Sequence, residues 1–409
     1  MSEPPEKTAS YWMQSVETPG YPELKDDIEV DVVIIGAGIV GLSVAYMLKK
    51  TGLRVAVLEK DKVGSGVSGH TTGKITTQHN MIYAKLQKRL GQDQARIYAQ
   101  ANQLAFEKLV EIIKEEDIDC DFRHEDSYVY TSDPEKVNQF KEEAKVAASF
   151  GLPATFETET DLPFSVTASV RFSGQATFHI RKYLLALAEI INGDGSYIFE
   201  NSHAYGIKDG KQVRVRTPKA RVLADKVIVA TNVPTFPLMA RGTYCIAEYP
   251  QQSYIVAGKM TRPIKGMYIS PDKEHYSILP VISGNDKYLL VGGEAHIPGT
   301  RLNQNTRYKR LADYADKYFG IKQIDYRWSH RDYLGYDDMP LIGKTYPWSR
   351  NSYTATGFMK WGMTNGTLAA MILSDLVQGK ESSWSQVFTP HRFKVVTSIP
   401  KVTGGVISK

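Results

Sequence analysis

Cysteine is almost missing from this chain of 409 residues, which has only Cys120 and Cys245 and so allows at most one disulfide. No CxxC pair occurs, which excludes an iron–sulfur centre or zinc knuckle held by cysteines of this chain. Charge of one sign is scarce as well. Fifty basic against forty-five acidic residues leave +5, too thin an excess to imply nucleic acid. The nine histidines fall in no familiar metal spacing, and no Ser/His/Asp order suggests hydrolysis. The first 31 residues lack the basic-then-apolar order of a secretory signal, and the expected location is cytoplasmic. One run, 32–48, nears membrane length and is broken only by Ser43. Apolar material, by contrast, is plentiful: 42% hydrophobic against 23% charged residues supplies a large core, and the length suits two domains.

The first thirty residues, punctuated by Pro4, Pro5, Pro19, Gly20 and Pro22, read as a leader lying on the surface. Val30 to Ile35 is a β-branched run of the kind covered on both faces in a parallel sheet. Ile39 to Lys50 has helical spacing, Gly52 stops it, and Arg54 to Leu58 is a second buried strand, completing one βαβ unit. Helical spacing recurs over 92–116, from Pro134 to about Phe150, over 177–191, over 306–319 and over 364–378. Hairpin material surrounds Asp209-Gly210, and buried strands are expected at 226–230 and 352–355. Short β-rich stretches at 252–257, 275–280 and 288–292 predict a mostly antiparallel sheet walling a substrate cavity.

Gly36-Ala37-Gly38-Ile39-Val40-Gly41 follows the first strand and opens the first helix. In such a turn the first glycine allows the tight bend, the second lets backbone approach a pyrophosphate, and the third brings helix to sheet. Glu59 closes the second strand 23 residues after Gly36, where a carboxylate can accept from ribose hydroxyls. A glycine-bearing core helix and a membrane span remain alternative readings of this run. Strand, helix, strand and acid together favour a dinucleotide. No second complete fingerprint occurs between Gly151 and Gly320, so one bound dinucleotide is expected, reduced by a small substrate.

These blocks, with GSGVSGHTTGKITTQH at 64–79, KVIVATN at 226–232, DDMPLIGK at 337–344 and ATGFMKWGMTNGTLAA at 355–370, give the chain a family likeness. It resembles the FAD-dependent oxidoreductases that include D-amino-acid oxidase, glycine oxidase, sarcosine oxidase and gamma-glutamylputrescine oxidase. The resemblance is closest to members in which such a domain precedes a Rieske iron–sulfur domain. No cysteine follows Cys245, so the ligand pairs of a Rieske cluster are not in this chain; a shorter member and a truncated source both remain open. The resemblance implies an α/β fold, in which a three-layer Rossmann-like FAD-binding domain is interleaved with an α+β substrate domain on a mostly antiparallel sheet. The expected boundaries are a leader over 1–29, the FAD domain over 30–90, 175–240 and 325–385, the substrate domain over 91–174 and 241–324, and a tail over 386–409.

It further implies that Gly36, Gly38, Ile39 and Gly41 hold the pyrophosphate, and that Glu59, with Lys60 beside it, meets the adenosine ribose. Ser65, Ser68, Gly69, Thr72, Gly73 and Lys74 fall in the loop under the flavin, and Thr231 and Asn232 in a turn near the adenosine. Gly357, Phe358, Lys360, Trp361, Gly362, Met363 and Thr364 match a second flavin-contacting segment. A helix beginning there would aim N–H groups at the ring edge where reduction builds negative charge. Stretches 328–332 and 357–363 lack the cysteine of covalent members, so FAD is expected to be non-covalent. Arg331 is the leading candidate to anchor a substrate carboxylate, followed by Tyr254 and His296. Lys360 either approaches ring or substrate or is solvated beside Trp361. In DDMPLIGK a methionine precedes proline where glycine oxidase has arginine, which weighs against a simple amino acid. The expected activity is oxidation of the C–N bond of a small amine or amino acid. The alternatives are the flavin module of a Rieske-type electron-transfer system and a flavoprotein used only for binding.

Overall fold

The computed structural model describes residues 9–234, 244, 247–299, 303–380 and 384–392; Cys245 and the part of the expected tail beyond 392 lie outside these. The chain runs α1 (Tyr11–Gln14), β1 (Ile28–Ile35), α2 (Ile39–Lys50), β2 (Val55–Leu58), β3 (Lys74–Ile75), α3 (Tyr83–Leu90), α4 (Gln92–Glu115) and β4 (Arg123–Thr131). It continues through α5 (Val137–Ser149), β5 (Ala154–Glu157), β6 (Ala168–Thr177), α6 (Ile180–Ile191), β7 (Tyr197–Phe199), β8 (Gly206–Lys208), β9 (Val213–Arg216) and β10 (Arg221–Val229). The last part holds β11 (Glu248–Lys259), β12 (Met267–Ile269), β13 (Ser277–Ser283), β14 (Asp286–His296), α7 (Gln304–Phe319), β15 (Tyr326–Gly335), β16 (Leu341–Lys344), β17 (Ser352–Thr356), α8 (Gly362–Val377) and α9 (Ser385–Phe388). Two compact units result, one from 1–17, 66–183 and 251–331, the other from 18–65, 184–250 and 332–409.

The second of these units is built on a sheet of order β16-β17-β10-β1-β2-β7, in which β17, β10, β1, β2 and β7 are parallel. Val30 and the run Val32–Ile35 are buried because β1 is flanked on both edges and covered on both faces. Helix α2 is buried along nine of its twelve residues, and its packing against α8 explains why the apolar run from Val32 never reads as amphipathic. That run is a strand, a turn and a helix. Among the described residues no helix is long and apolar enough to cross a membrane.

The other unit carries a sheet of order β15-β11-β14-β13-β12-β4-β6-β3, with β5 beside β6. From β11 to β3, and between β5 and β6, its pairs are antiparallel apart from β12 and β4, which run parallel from Met267 opposite Ser127 to Ile269 opposite Val129. One cluster, joining Tyr254, Val256, Ile278, Leu289 and Val291 to Leu311 and Phe319 of α7, fills one face of this sheet.

Two expectations need correction. The N-terminal segment does not simply lie on the surface: Tyr11 and Trp12 of α1 are fully buried, and Leu24 joins the core of the parallel-sheet unit. Aromatic burial outweighs the local proline and glycine punctuation there. The helix expected from 177 starts at Ile180, since Ala168–Thr177 is a strand with alternating burial at its centre and Thr177 ends it opposite Arg123.

Glu143 of α5 reaches the start of α3, where its two carboxylate oxygens accept N–H bonds from Tyr83 (2.8 Å) and Ala84 (2.9 Å). It supplies from another helix the cap that α3's own N-cap residue, Ile82, does not provide. Replacing Glu143 by Ala is expected to cost about 1–3 kcal/mol, as buried N–H groups lose their acceptor. A denaturant midpoint equal to that of the parent protein would remove this role.

Candidate functional site

In the parallel-sheet unit the turn between β1 and α2 is shaped by close approach. Gly36 has φ 107°, and a Cβ there would stand 2.6 Å from the Ala230 carbonyl oxygen. A Cβ on Gly41 would stand 1.8 Å from the Gly36 carbonyl oxygen, so only glycine lets α2 sit this close to the strand it follows. Gly38 is the N-cap residue and has no side chain to cap with, so the positive end of α2 is presented at the turn without a side-chain cap from that position. Glu59, buried beyond β2, accepts from Ala37 N–H at 2.9 Å and from Asp61 N–H at 3.0 Å. Each oxygen keeps a further lone pair for a hydroxyl. Lys60 is exposed.

Around the end of β10, Thr231 donates its hydroxyl to Val233 O at 2.7 Å, and Asn232 takes a left-handed φ of 68°. Beyond β17 the chain makes a tight turn in which Gly357, Met359 and Lys360 all have positive φ (72°, 54° and 70°). Two consecutive non-glycine residues in that region are costly and mark a turn held by its surroundings. The turn delivers α8, whose N-cap Trp361 provides no side-chain cap; a Cβ on Gly362 would meet nothing within 4 Å. Met363 and Thr364 are buried, and Gly366 lets α8 rest on Ile39 of α2, 3.0 Å from where a Cβ would lie. Lys360 is exposed as a residue, yet burial around its ammonium lowers its pKa, with Asp332 opposing.

Within the antiparallel-sheet unit, the glycine-rich loop is gripped through its carbonyls. Gly69 O accepts from Ser10 Oγ (2.6 Å), Thr71 O from Trp12 Nε1 (2.8 Å) and His70 O from Trp328 Nε1 (2.9 Å). Gly73, with φ 83°, lies so close to the Trp12 ring that a Cβ would stand 3.0 Å from it. Ser68 and Thr72 remain partly exposed on this loop; Ser65 belongs to the other unit, where its hydroxyl accepts from Lys62 N–H. Lys74 is buried, donating from Nζ to Tyr268 O (2.7 Å) and Ser277 Oγ (2.8 Å), and burial lowers its pKa to about 7.

Tyr254 and His296 come together, their rings stacked 5.7 Å apart and only 9° from parallel. The Arg307 guanidinium lies 5.9 Å from the Tyr254 ring and bonds Glu294, while burial and Arg307 lower the pKa of His296. Tyr254 is only 1% exposed. Arg331 is exposed on β15. Arg307 and Glu294 were not legible as partners of this pair. The signal lay in α7, where Arg307 shares the inward helical face with Tyr308 and Leu311. Among the described residues no group of three His, Cys, Asp or Glu is placed to hold a metal.

Residues 31–376 match the model of the family described as FAD dependent oxidoreductase. This chain belongs to that family. An FAD dependent oxidoreductase of this kind binds FAD, and the parallel-sheet unit fits the group: a helix start with no side-chain cap, reached through Gly36 and Gly38, a buried carboxylate with free lone pairs, and open space at Gly362. A Bacillus subtilis protein named as a Rieske 2Fe-2S iron-sulfur protein is 35% identical over 97% of this chain and 78% of its own length. The gamma-glutamylputrescine oxidoreductase of Escherichia coli is 26% identical over 91% of this chain and 90% of its own. Among solved structures, glycine oxidase of Geobacillus kaustophilus superposes with a TM-score of 0.76 at 21% identity, over 89% of this chain and 99% of that one. The L-proline dehydrogenase of P. horikoshii gives the same TM-score and identity over 91% and 98%.

Two outcomes test these placements. Gly41→Ala is expected to yield protein that no longer retains FAD, read from the loss of its visible absorption, because α2 must move off β1. For Lys74, the folded-state pKa lies below the unfolded one, so stability falls by roughly 1 kcal/mol per pH unit as pH drops from about 10 toward about 7, then levels off. Lys74→Met is expected to abolish that slope in denaturant titrations; a slope unchanged by the substitution would contradict a desolvated Lys74.

Proposed function

We propose that this FAD dependent oxidoreductase oxidises the C–N bond of a small amine or amino acid. The observation that carries the reading is that one unit of the chain holds an FAD cradle, while the other holds Tyr254, His296 and Arg307 as an aromatic and cationic group. Several relatives support the substrate class through their names, gamma-glutamylputrescine oxidoreductase and glycine oxidase among them. FAD, when bound, supplies the acceptor for the hydride that leaves the substrate carbon. The chain's own part is to bind and orient. Gly36, Gly38, Ile39 and Gly41 present backbone N–H groups to the pyrophosphate, and Glu59 accepts from the ribose. Ser65, Ser68, Gly69, Thr72, Gly73 and Lys74 line the loop along the cofactor, with Thr231 and Asn232 near the adenosine. Gly357, Phe358, Lys360, Trp361, Gly362, Met363 and Thr364 bring the start of α8 to the flavin, where its N–H groups favour negative charge. Arg331 holds a substrate carboxylate, with Tyr254 and His296 placing the amine-bearing carbon.

A second reading draws on the Bacillus subtilis relative, 22% of whose length lies outside the match and whose name is that of an iron–sulfur protein. In it, electrons pass on to a Rieske protein rather than to oxygen. Anaerobic addition of an amine and amino-acid panel to the FAD-loaded protein is expected to bleach the flavin band with at least one member. Failure of every member would sink the substrate class. Oxygen then sorts the two readings: rapid return of colour with peroxide marks an oxidase, slow return with fast transfer to an iron–sulfur protein marks the other. Arg331→Ala is expected to raise the apparent dissociation constant of a carboxylate substrate by about tenfold or more, the worth of a charge-assisted pair, and to leave a plain amine unaffected.

A further inference from the structure

Glu248 opens β11, is 3% exposed, and takes no part in the chemistry above. Its surroundings fix where one proton must be. The Thr356 hydroxyl lies in hydrogen-bond contact with two oxygens, the Asn232 carbonyl, which is the closer, and Glu248 Oε2 at 3.1 Å. A hydroxyl has a single proton to donate. The Asn232 carbonyl carries none, so Thr356 donates there, and the contact with Glu248 is left to a proton on Glu248 itself.

The groups around the carboxyl agree. Glu248 Oε1 is buried without a hydrogen-bond partner. Arg392 faces it from beyond α9, but that guanidinium is engaged by Asp337 at 2.6 and 3.0 Å and by the carbonyls of Pro340, Phe388, Thr389 and Met339. The Tyr244 hydroxyl donates to Thr345 O. An ionised carboxylate here would be desolvated with its second oxygen unpaired, a cost that a neutral acid avoids. Burial accordingly raises the pKa of Glu248 to about 8, against the opposing pull of Thr356 and Arg392.

The two recipients of this chain of protons are informative. Asn232 follows β10 and Thr356 ends β17, adjacent parallel strands whose carboxyl ends form the crevice used by nucleotides in open α/β sheets. Gly357 comes next, and a Cβ on it would stand 3.1 Å from Glu248 Oε1, so the turn leading to α8 rests directly on the carboxyl. We propose that Glu248 is a positioning residue, protonated at neutral pH, whose relay through Thr356 to Asn232 sets the two strand ends that carry the cofactor-binding turns. The protonation stands on the geometry alone; its coupling to FAD rests on the cofactor placement given under the proposed function.

Two measurements on the whole chain separate these parts. Infrared difference spectra of apoprotein, parent minus Glu248→Gln, are expected to show the carbonyl stretch of a protonated carboxyl at about pH 6.5, lost by about pH 9.5. Fluorescence titration with FAD is expected to show the parent weakening at least about fivefold over that interval as Glu248 ionises. Glu248→Gln, which keeps a donor to Thr356 and carries no charge, should stay within about twofold across it. Thr356→Val, which breaks the relay at its centre, should bind FAD more weakly throughout. A missing carboxyl band at the lower pH overturns the protonation. A band present with FAD affinities equal in the parent, Glu248→Gln and Thr356→Val at every pH overturns the positioning role. Parent protein that shows the band yet binds no FAD overturns the coupling together with the cofactor placement, while the protonated acid stands.

Discussion

The contact between Gly41 and the Gly36 carbonyl sets how near α2 lies to the sheet, and much else follows from that distance. A methyl group at Gly41 would overlap backbone, which cannot step aside as a flexible side chain can. With the helix drawn in, its uncapped N-terminus stands directly over the end of β1, and Glu59 can reach Ala37 N–H from the next strand. Gly366 repeats the device on the other side, seating α8 on Ile39. Two helix starts are thereby brought to the carboxyl ends of one parallel sheet, an arrangement suited to a ligand bearing negative charge at more than one point.

The elements dominated by burial were the legible ones. Helix α2 spans the Ile39–Lys50 read from spacing, β1 and β2 lie close to their expected runs, and β10 contains most of its expected run but begins earlier, at Arg221. Strands buried on both faces announce themselves as unbroken apolar stretches. Strand β6 escaped, because the polar residues Arg171, Ser173 and Gln175, together with Gly174, interrupt the run and Thr177 merges into the helical pattern after it. The burial of Tyr11 and Trp12 also escaped, since their partners, Tyr288, Tyr326 and His179, are far away in sequence.

The site shows the same division. Glycines with positive φ and a strand-ending acid leave a local signature. Side chains whose role depends on a remote neighbour do not. Arg307 over Tyr254 and Glu248 beneath Thr356 belong to that class; the latter two are 108 residues apart. Nothing in the sequence around Glu248 separates it from a surface acid, and only the tertiary fold gives it an apolar setting.

The order of strands in the parallel sheet bears on how the protein is made. Val227 of β10 pairs with Ser352 of β17, while on its other side β10 joins β1 from near the start of the chain. Three remote stretches must meet before this sheet exists, with the whole of the second sheet's β11 to β14 synthesised in between. Such non-local pairing makes assembly slow and leaves hydrophobic strand edges uncovered while the ribosome is still at work. Strand β17 and the helix α8 behind it follow every other strand of this sheet in the chain, so the second of the two helix starts is added to the sheet last.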